Sequence, residues 1–344
     1  MRRAVGAILA MALAAPAWAG FDQGVAAYKS EDYATALREL RPLAENGDAQ
    51  SQFLLGNMYR EGQSVPKDNI EAAKWYKLAA EQGVSLAQYS LGAAYGKGLG
   101  VPKNEAAAVK WYRRAATKGF ARAQFNLAFM YFNGLGTRRD FDTAAKWYLR
   151  AAEQGIARAQ YNLGSMYQRG QGVRRNLAAA FKWYLSAAEL DAHRAQTALG
   201  GMYRRGEGVG QDYKKALRWY RLAARQGNSK AQLNLGNMYR KGLGVKADAG
   251  AAVDWFRRAA DQGDNVAQFA LGALYTQGLG VPKDYVEAYF LFHLAAVHSP
   301  PGRTRDKAAQ YMEIVGNHLT HQEINEAKRL VRKWRPKLET EPEQ

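Results

Sequence analysis

Hydrophobic and polar positions along this chain repeat every 36 residues without insertion or deletion. Gln52, Gln88, Gln124, Gln160, Gln196, Gln232 and Gln268 mark the register, and Tyr59, Tyr95, Tyr131, Tyr167, Tyr203, Tyr239 and Tyr275 keep step with it. Each copy reads as two helices joined by a loop. In the first helix, Leu55 and Tyr59 lie four residues apart on one face, with Met58 beside them, which predicts a buried stripe. Glycine recurs inside that helix at Gly56, Gly92, Gly164, Gly200, Gly236 and Gly272, with Ala128 in the remaining copy. A mid-helix glycine costs about 1 kcal/mol against alanine, so its return predicts a close approach that leaves no room for a side chain.

Gly62, Gly98 and Gly134 stop the first helix, where a left-handed C-cap is expected. Asp or Asn then stands at 68, 104, 140, 176, 212, 248 and 284 and predicts the N-cap of the second helix. Asp68 with Glu71, and Asp284 with Glu287, have capping-box spacing. The second helix carries Ala72, Trp75, Tyr76, Ala79 and Ala80, and the Trp returns at 111, 147, 183, 219 and 255. One hairpin cannot bury such a face alone. Neighbouring copies must stack, and a period between 20 and 50 residues is the mark of a solenoid.

The pattern AQ-x-x-LG-x-x-Y, G-x-GV-x-x-D and A-x-x-W-Y-x-x-AA resembles the Sel-one-like repeat, a relative of the tetratricopeptide repeat. The resemblance covers residues 48–299 in seven copies. It implies an all-α fold, a right-handed α-solenoid of helix-turn-helix repeats, with the first helices lining a concave groove. Departures are few: Asp191 and Ser299 replace the glycine that ends the second helix, and Leu291 replaces the last Trp.

The ends differ from the array. Residues 1–19 have a charged start (Arg2, Arg3), an apolar run and a small-x-small site at Ala17-Trp18-Ala19, the pattern of a secretory signal peptide cleaved near Ala19. A periplasmic or secreted location follows as the expectation. Residues 20–47 read as an N-terminal capping unit in which Pro42 predicts a kink or break. Residues 300–336 read as C-terminal capping helices, the second opened by a Thr320…Glu323 capping box, and residues 337–344 as a disordered polar tail.

Charge changes the picture of the surface. The chain carries +18, or +16 once Arg2 and Arg3 leave with the signal. Residues 192–263 hold 14 Lys or Arg against 5 Asp or Glu, a net +9. Arg204, Arg205, Arg240 and Lys241 end first helices there, while Lys214, Lys215, Arg218 and Arg221 lie on a second helix. Such a field favours an acidic partner and is sensitive to salt. For an exported protein that points to acidic polysaccharide, anionic lipid head groups or an acidic protein, with nucleic acid not expected.

The positions that vary on the first helices supply a second surface: Phe53, Asn57, Tyr89, Phe125, Asn126, Tyr161, Asn162, Asn234, Asn237 and Phe269. Aromatic rings give contact area at low entropic cost, and asparagine can bond an extended peptide through donor and acceptor. A protein or peptide partner is the expectation.

Chemistry is sparse. With no cysteine, disulfides and thiolate chemistry are excluded, and the chain departs from the cysteine-rich relatives linked to β-lactam hydrolysis. Ser64-Val65-Pro66-Lys67 matches S-x-x-K, but Pro66 sits in a loop where that chemistry needs a helix. Of the five histidines only His318 and His321 have helical spacing, and a helix boundary falls between them. No cofactor, metal or catalytic residue is assigned. The sequence reads as a non-enzymatic scaffold, adaptor or regulator of the bacterial envelope. The alternatives are acidic glycan or lipid binding through residues 192–263 and, remotely, a cell-wall or β-lactam-related hydrolase. Family resemblance implies settings such as exopolysaccharide export, inhibition of a sensor kinase or host contact.

Overall fold

The computed structural model describes residues 17–337, so the expected signal peptide lies outside it over residues 1–16, and the tail over 338–344. Among the described residues the chain is helical throughout. An N-terminal pair, α1 (Ala17–Lys29) and α2 (Tyr33–Glu45), precedes the repeats. Three pairs follow: α3 (Ala49–Glu61) with α4 (Asn69–Glu81), α5 (Ser85–Lys97) with α6 (Glu105–Thr117), and α7 (Ala121–Asn133) with α8 (Phe141–Glu153). Four more pairs are α9 (Ala157–Arg169) and α10 (Leu177–Glu189), α11 (His193–Arg205) and α12 (Tyr213–Arg225), α13 (Ser229–Lys241) and α14 (Ala249–Asp261), α15 (Asn265–Gln277) and α16 (Tyr285–His298). α17 (Arg303–Gly316) and α18 (His321–Lys333) close the chain. Within each unit the repeat helices pack on their sequence neighbours, the all-α solenoid order that the period predicts, and α18 packs on α16. Two compact units result, one ending at Gln154 and one beginning at Gly155.

The caps explain the strict helix length. Gly62, Gly98, Gly134, Gly170, Gly206, Gly242 and Gly278 all end first helices in the left-handed region. Asp68, Asn104, Asp140, Asn176, Asp212, Asp248 and Asp284 each accept a backbone N–H at the start of the second helix. Asp191 keeps the positive φ of the glycine it replaces, at 57°. Ser299 does not: its backbone is extended and leads into Pro300.

Two local expectations fail. Asp68 and Asp284 cap their helices, but the reciprocal half of each box is missing. The Glu71 carboxylate bonds Lys74 instead, and Glu287 is partly buried, which pushes its carboxyl above the usual range. The full capping box forms at Thr320 and Glu323. Pro42 does not break α2, which continues to Glu45. Leu40 and Ala44 on either side are fully buried, and that packing outweighs the lost helical bond.

The mid-helix glycines meet the expected close approach. A Cβ on Gly56, Gly92, Gly200 or Gly236 would lie 2.6–2.8 Å from the ring of Tyr76, Tyr112, Tyr220 or Phe256 on the second helix of the same repeat. The tryptophans work between repeats: Trp111 packs on Tyr76, Ala79 and Leu91, and Trp219 on the cluster of Ala187, Leu199 and Met202.

The register glutamines have a role that periodicity alone does not reveal. Gln52, Gln88, Gln124, Gln196, Gln232 and Gln268 are buried, and each Nε2 donates to a carbonyl eight residues earlier, as from Gln124 to Ala116 at 3.2 Å. That carbonyl belongs to the end of the preceding helix and also accepts a backbone N–H from the turn, as Ala116 O does from Gly119, so the amide adds a second bond at the helix C-terminus. A second glutamine 30 residues on donates to the register amide: Gln82 to Gln52 at 2.8 Å, Gln154 to Gln124 at 2.7 Å, and Gln262 to Gln232 at 2.7 Å. These bonds couple the pairs while leaving the first-helix face free to vary.

Candidate interaction surface

The first helices place their variable residues on a half-exposed row. In the first unit, Phe53, Tyr89 and Phe125 stack on Tyr76, Tyr112 and Tyr148, with ring centroids 5.9, 5.8 and 5.8 Å apart. In the second unit, Tyr161 meets Tyr184 at 5.6 Å and Phe269 meets Phe292 at 5.4 Å. Tyr89 and Phe269 also meet Phe120 and Tyr311 at 5.2 and 5.3 Å, so the rings are packing elements that stay half-exposed. Each is fixed by a second-helix ring and loses little freedom on contact with a partner.

The asparagines divide into two groups. Asn57 Oδ1 accepts the Tyr76 hydroxyl at 2.7 Å, and Asn126 lies beside the Tyr112 phenol. Burial pushes the Tyr112 hydroxyl up to about 12, with Asn126 pulling against it. Asn234 Nδ2 donates to Lys230 O at 2.7 Å and Asn237 Nδ2 to Leu233 O at 3.0 Å, back onto their own helix. Asn162 is half-buried on α9. A peptide would meet amides that are already oriented.

Sequence reasoning passed over Phe129 and Phe132, although Phe125, Phe129 and Phe132 have the i, i+4, i+7 spacing of one face. Phe129 is 45% exposed, and Phe132 packs on Phe141 at 5.1 Å. Tyrosine hydroxyls are a second omission. Arg41, Arg113, Arg221 and Arg257 donate to Tyr59, Tyr131, Tyr239 and Tyr275, each 18 residues on, at 2.5–3.0 Å.

The basic residues of 192–263 do not form one patch. Lys214, Arg218 and Arg221 line a shallow depression on α12 with Leu222 and Arg225. Lys215 faces Asp212 at 3.7 Å, and Arg205 is held bidentate by Glu207 at 2.6 and 2.9 Å. Burial pushes the Tyr220 hydroxyl up, and the nearby Arg204 charge pulls against it. Arg240 and Lys241 end α13 exposed.

Elsewhere the chemistry is structural. Ser64 lies in the loop at φ 54°, before α4 begins, so Ser64 and Lys67 do not share a helical turn. His318 falls between α17 and α18 and stacks on Tyr285 at 4.5 Å, while His321 opens α18. Among the described residues, no group of three His, Asp or Glu could hold a metal ion, and no helix is long and apolar enough to cross a membrane.

Comparison with known proteins places these features in context. The Sel1 repeat profile matches residues 49–84, 85–120, 121–156, 157–191, 193–228, 229–264 and 265–296. Among solved structures, the chain is similar to a Sel1 repeat protein from Oxalobacter formigenes, at 34% identity and a TM-score of 0.67, over 87% of each chain. It is also similar to a protective antigen present in uropathogenic Escherichia coli strains and displaying an SLR fold, at 30% identity and a TM-score of 0.57, over 92% of this chain and 91% of that one. No curated protein matches the chain at a significant level.

Proposed function

The chain belongs to the Sel1 repeat family, and from that membership we propose that it is a non-enzymatic scaffold or adaptor of the bacterial cell envelope, binding a protein partner on the variable face of its first helices. Proteins of this family are generally interaction scaffolds. The observation that carries the finer reading is the aromatic row. Phe53, Tyr89 and Phe125 occupy one register, rest on fixed rings and stay half-exposed, while the residues beside them change from repeat to repeat. A constant frame beneath a variable face is what selective recognition of an extended partner needs. The envelope location rests on the signal-peptide pattern of residues 1–19.

In-cell crosslinking of the wild type beside a variant carrying Asn126→Ala, Asn162→Ala and Asn234→Ala tests this reading. We expect one protein to be captured by the wild type and lost from the triple variant, with helix content unchanged. Equal capture by both would remove the asparagines from the site.

A second reading has one observation in its favour. α12 contains five basic residues and no acidic one, and four of them line the same depression. That depression suits an acidic glycan or an anionic lipid surface. If crosslinking returns no protein and the chain co-purifies with polysaccharide or membrane in a salt-sensitive manner, α12 is the site to neutralise.

A further inference from the structure

A concavity in the second unit, apart from both the aromatic row and α12, has the composition of a ligand site. α16 supplies His293, Val297 and His298 to its wall. α18 supplies Lys328, Val331 and Arg332, and Arg335 closes the rim just beyond that helix. The lining contains cationic and apolar groups and no carboxylate. The two acids of α18 are engaged elsewhere, Glu326 with Arg329 at 2.7 Å and Glu323 with Thr320 at 2.8 Å, and Asp261 pairs with Lys337 at 3.6 Å.

The groups are held in place. One nitrogen of the Arg335 guanidinium donates to Arg332 O at 3.1 Å and to Trp334 O at 2.7 Å. His298 gives its Nδ1 proton to Leu294 O at 3.1 Å, which leaves Nε2 as the nitrogen available to a ligand, and its ring packs on Trp334 at 5.5 Å. His293 Nδ1 is buried and has no hydrogen-bond partner. Burial and the charges of Lys328, His298 and Arg332 hold His293 below the usual histidine range. Cationic side chains and imidazoles that converge with no carboxylate among them form an arrangement that an anion completes.

We propose that this pocket binds a phosphate group, presented by a small soluble molecule or by a lipid head group. A single carboxylate offers one charge and two acceptor oxygens. The pocket offers two guanidinium groups, an ammonium and two imidazoles, a donor set that matches the greater charge and additional oxygens of phosphate. Val297 and Val331 provide an apolar wall for the carbon skeleton of the ligand.

NMR of the histidine rings in the full chain, titrated with inorganic phosphate against chloride at equal ionic strength, tests the proposal. Saturable shifts are expected at His293 and His298 with a dissociation constant of about 1 mM or tighter, and none at His193 or His318. Lys328→Gln with Arg332→Gln should weaken binding about tenfold or more, whereas Lys328→Arg should retain it. Shifts that never saturate, that chloride reproduces, or that survive the double substitution would overturn the site. A vesicle arm separates the two sources. Co-sedimentation with phosphatidylglycerol but not phosphatidylcholine, lost in Arg332→Gln, assigns a lipid head group. Phosphate binding without co-sedimentation assigns a soluble ligand.

Discussion

Replacing Gly100 with alanine is expected to destabilise the first unit by about 3 kcal/mol or more, read by urea unfolding. Gly100 is the second glycine of its loop, at φ +71°, and a Cβ there would lie 1.8 Å from Asn69 O. Asn69 begins α4, the second helix of the preceding repeat, so the clash is with backbone and no rotamer relieves it. Gly136, Gly208, Gly244 and Gly280 face the starts of preceding second helices in the same way, with contacts of 2.2–2.6 Å. The backbone angle alone is a smaller effect. Ser64 and Asp191 hold φ of 54° and 57° without being glycine. Gly119 separates the two contributions, because it has φ +91° and nothing within 4 Å of a Cβ. Gly119→Ala should therefore cost only about 1 kcal/mol. Equal losses at the two positions would show that the close approach at Gly100 contributes nothing.

The second large effect is a reversal of sign. Phe256 is fully buried, and its ring lies 2.6 Å from where a Cβ on Gly236 would stand. Phe256→Ala should cost about 3–5 kcal/mol through lost burial and the cavity left behind. In the wild type, Gly236→Ala gains about 1 kcal/mol of helix propensity but crowds the ring at about 1–3 kcal/mol, so it should destabilise. With Phe256 already alanine the ring is gone, and the same Gly236→Ala should stabilise by about 1 kcal/mol. A double-mutant cycle in urea measures the coupling. A vanishing coupling energy would mean that ring and glycine do not set each other's size. Ala128 holds a methyl at this register, and in that repeat the Tyr148 ring is met by both Phe125 and Phe132.

Features written locally were legible in the sequence. The glycine C-caps, the Asp and Asn N-caps and the tight glycine inside every first helix of a repeat but α7 follow from residues within a few positions of one another, and the structure has them. Features that depend on a distant partner were not. Gln154 and Gln124 are 30 residues apart, and Arg113 and Tyr131 are 18 apart, so neither bond is visible until the helices are stacked. The missing half of the Asp68–Glu71 box has a similar origin, since spacing cannot show that Lys74 competes for the Glu71 carboxylate. The variable face was found by its variation, but its rings also pack, which only the contacts with Tyr76, Tyr112 and Tyr148 reveal. The C-terminal pocket was invisible because α18 lies beyond the 36-residue register, which gives no way to place Lys328 or Arg332 beside His293.

On this reading the first-helix face receives a protein partner. A photo-crosslinking residue placed at Phe129, whose side chain is already 45% exposed, tests it most directly when compared with the same residue at Lys146 on the exposed side of α8. A discrete protein adduct is expected from position 129 and none from position 146 in intact cells. Adducts of the same identity and yield from both positions, or from 146 alone, would contradict it.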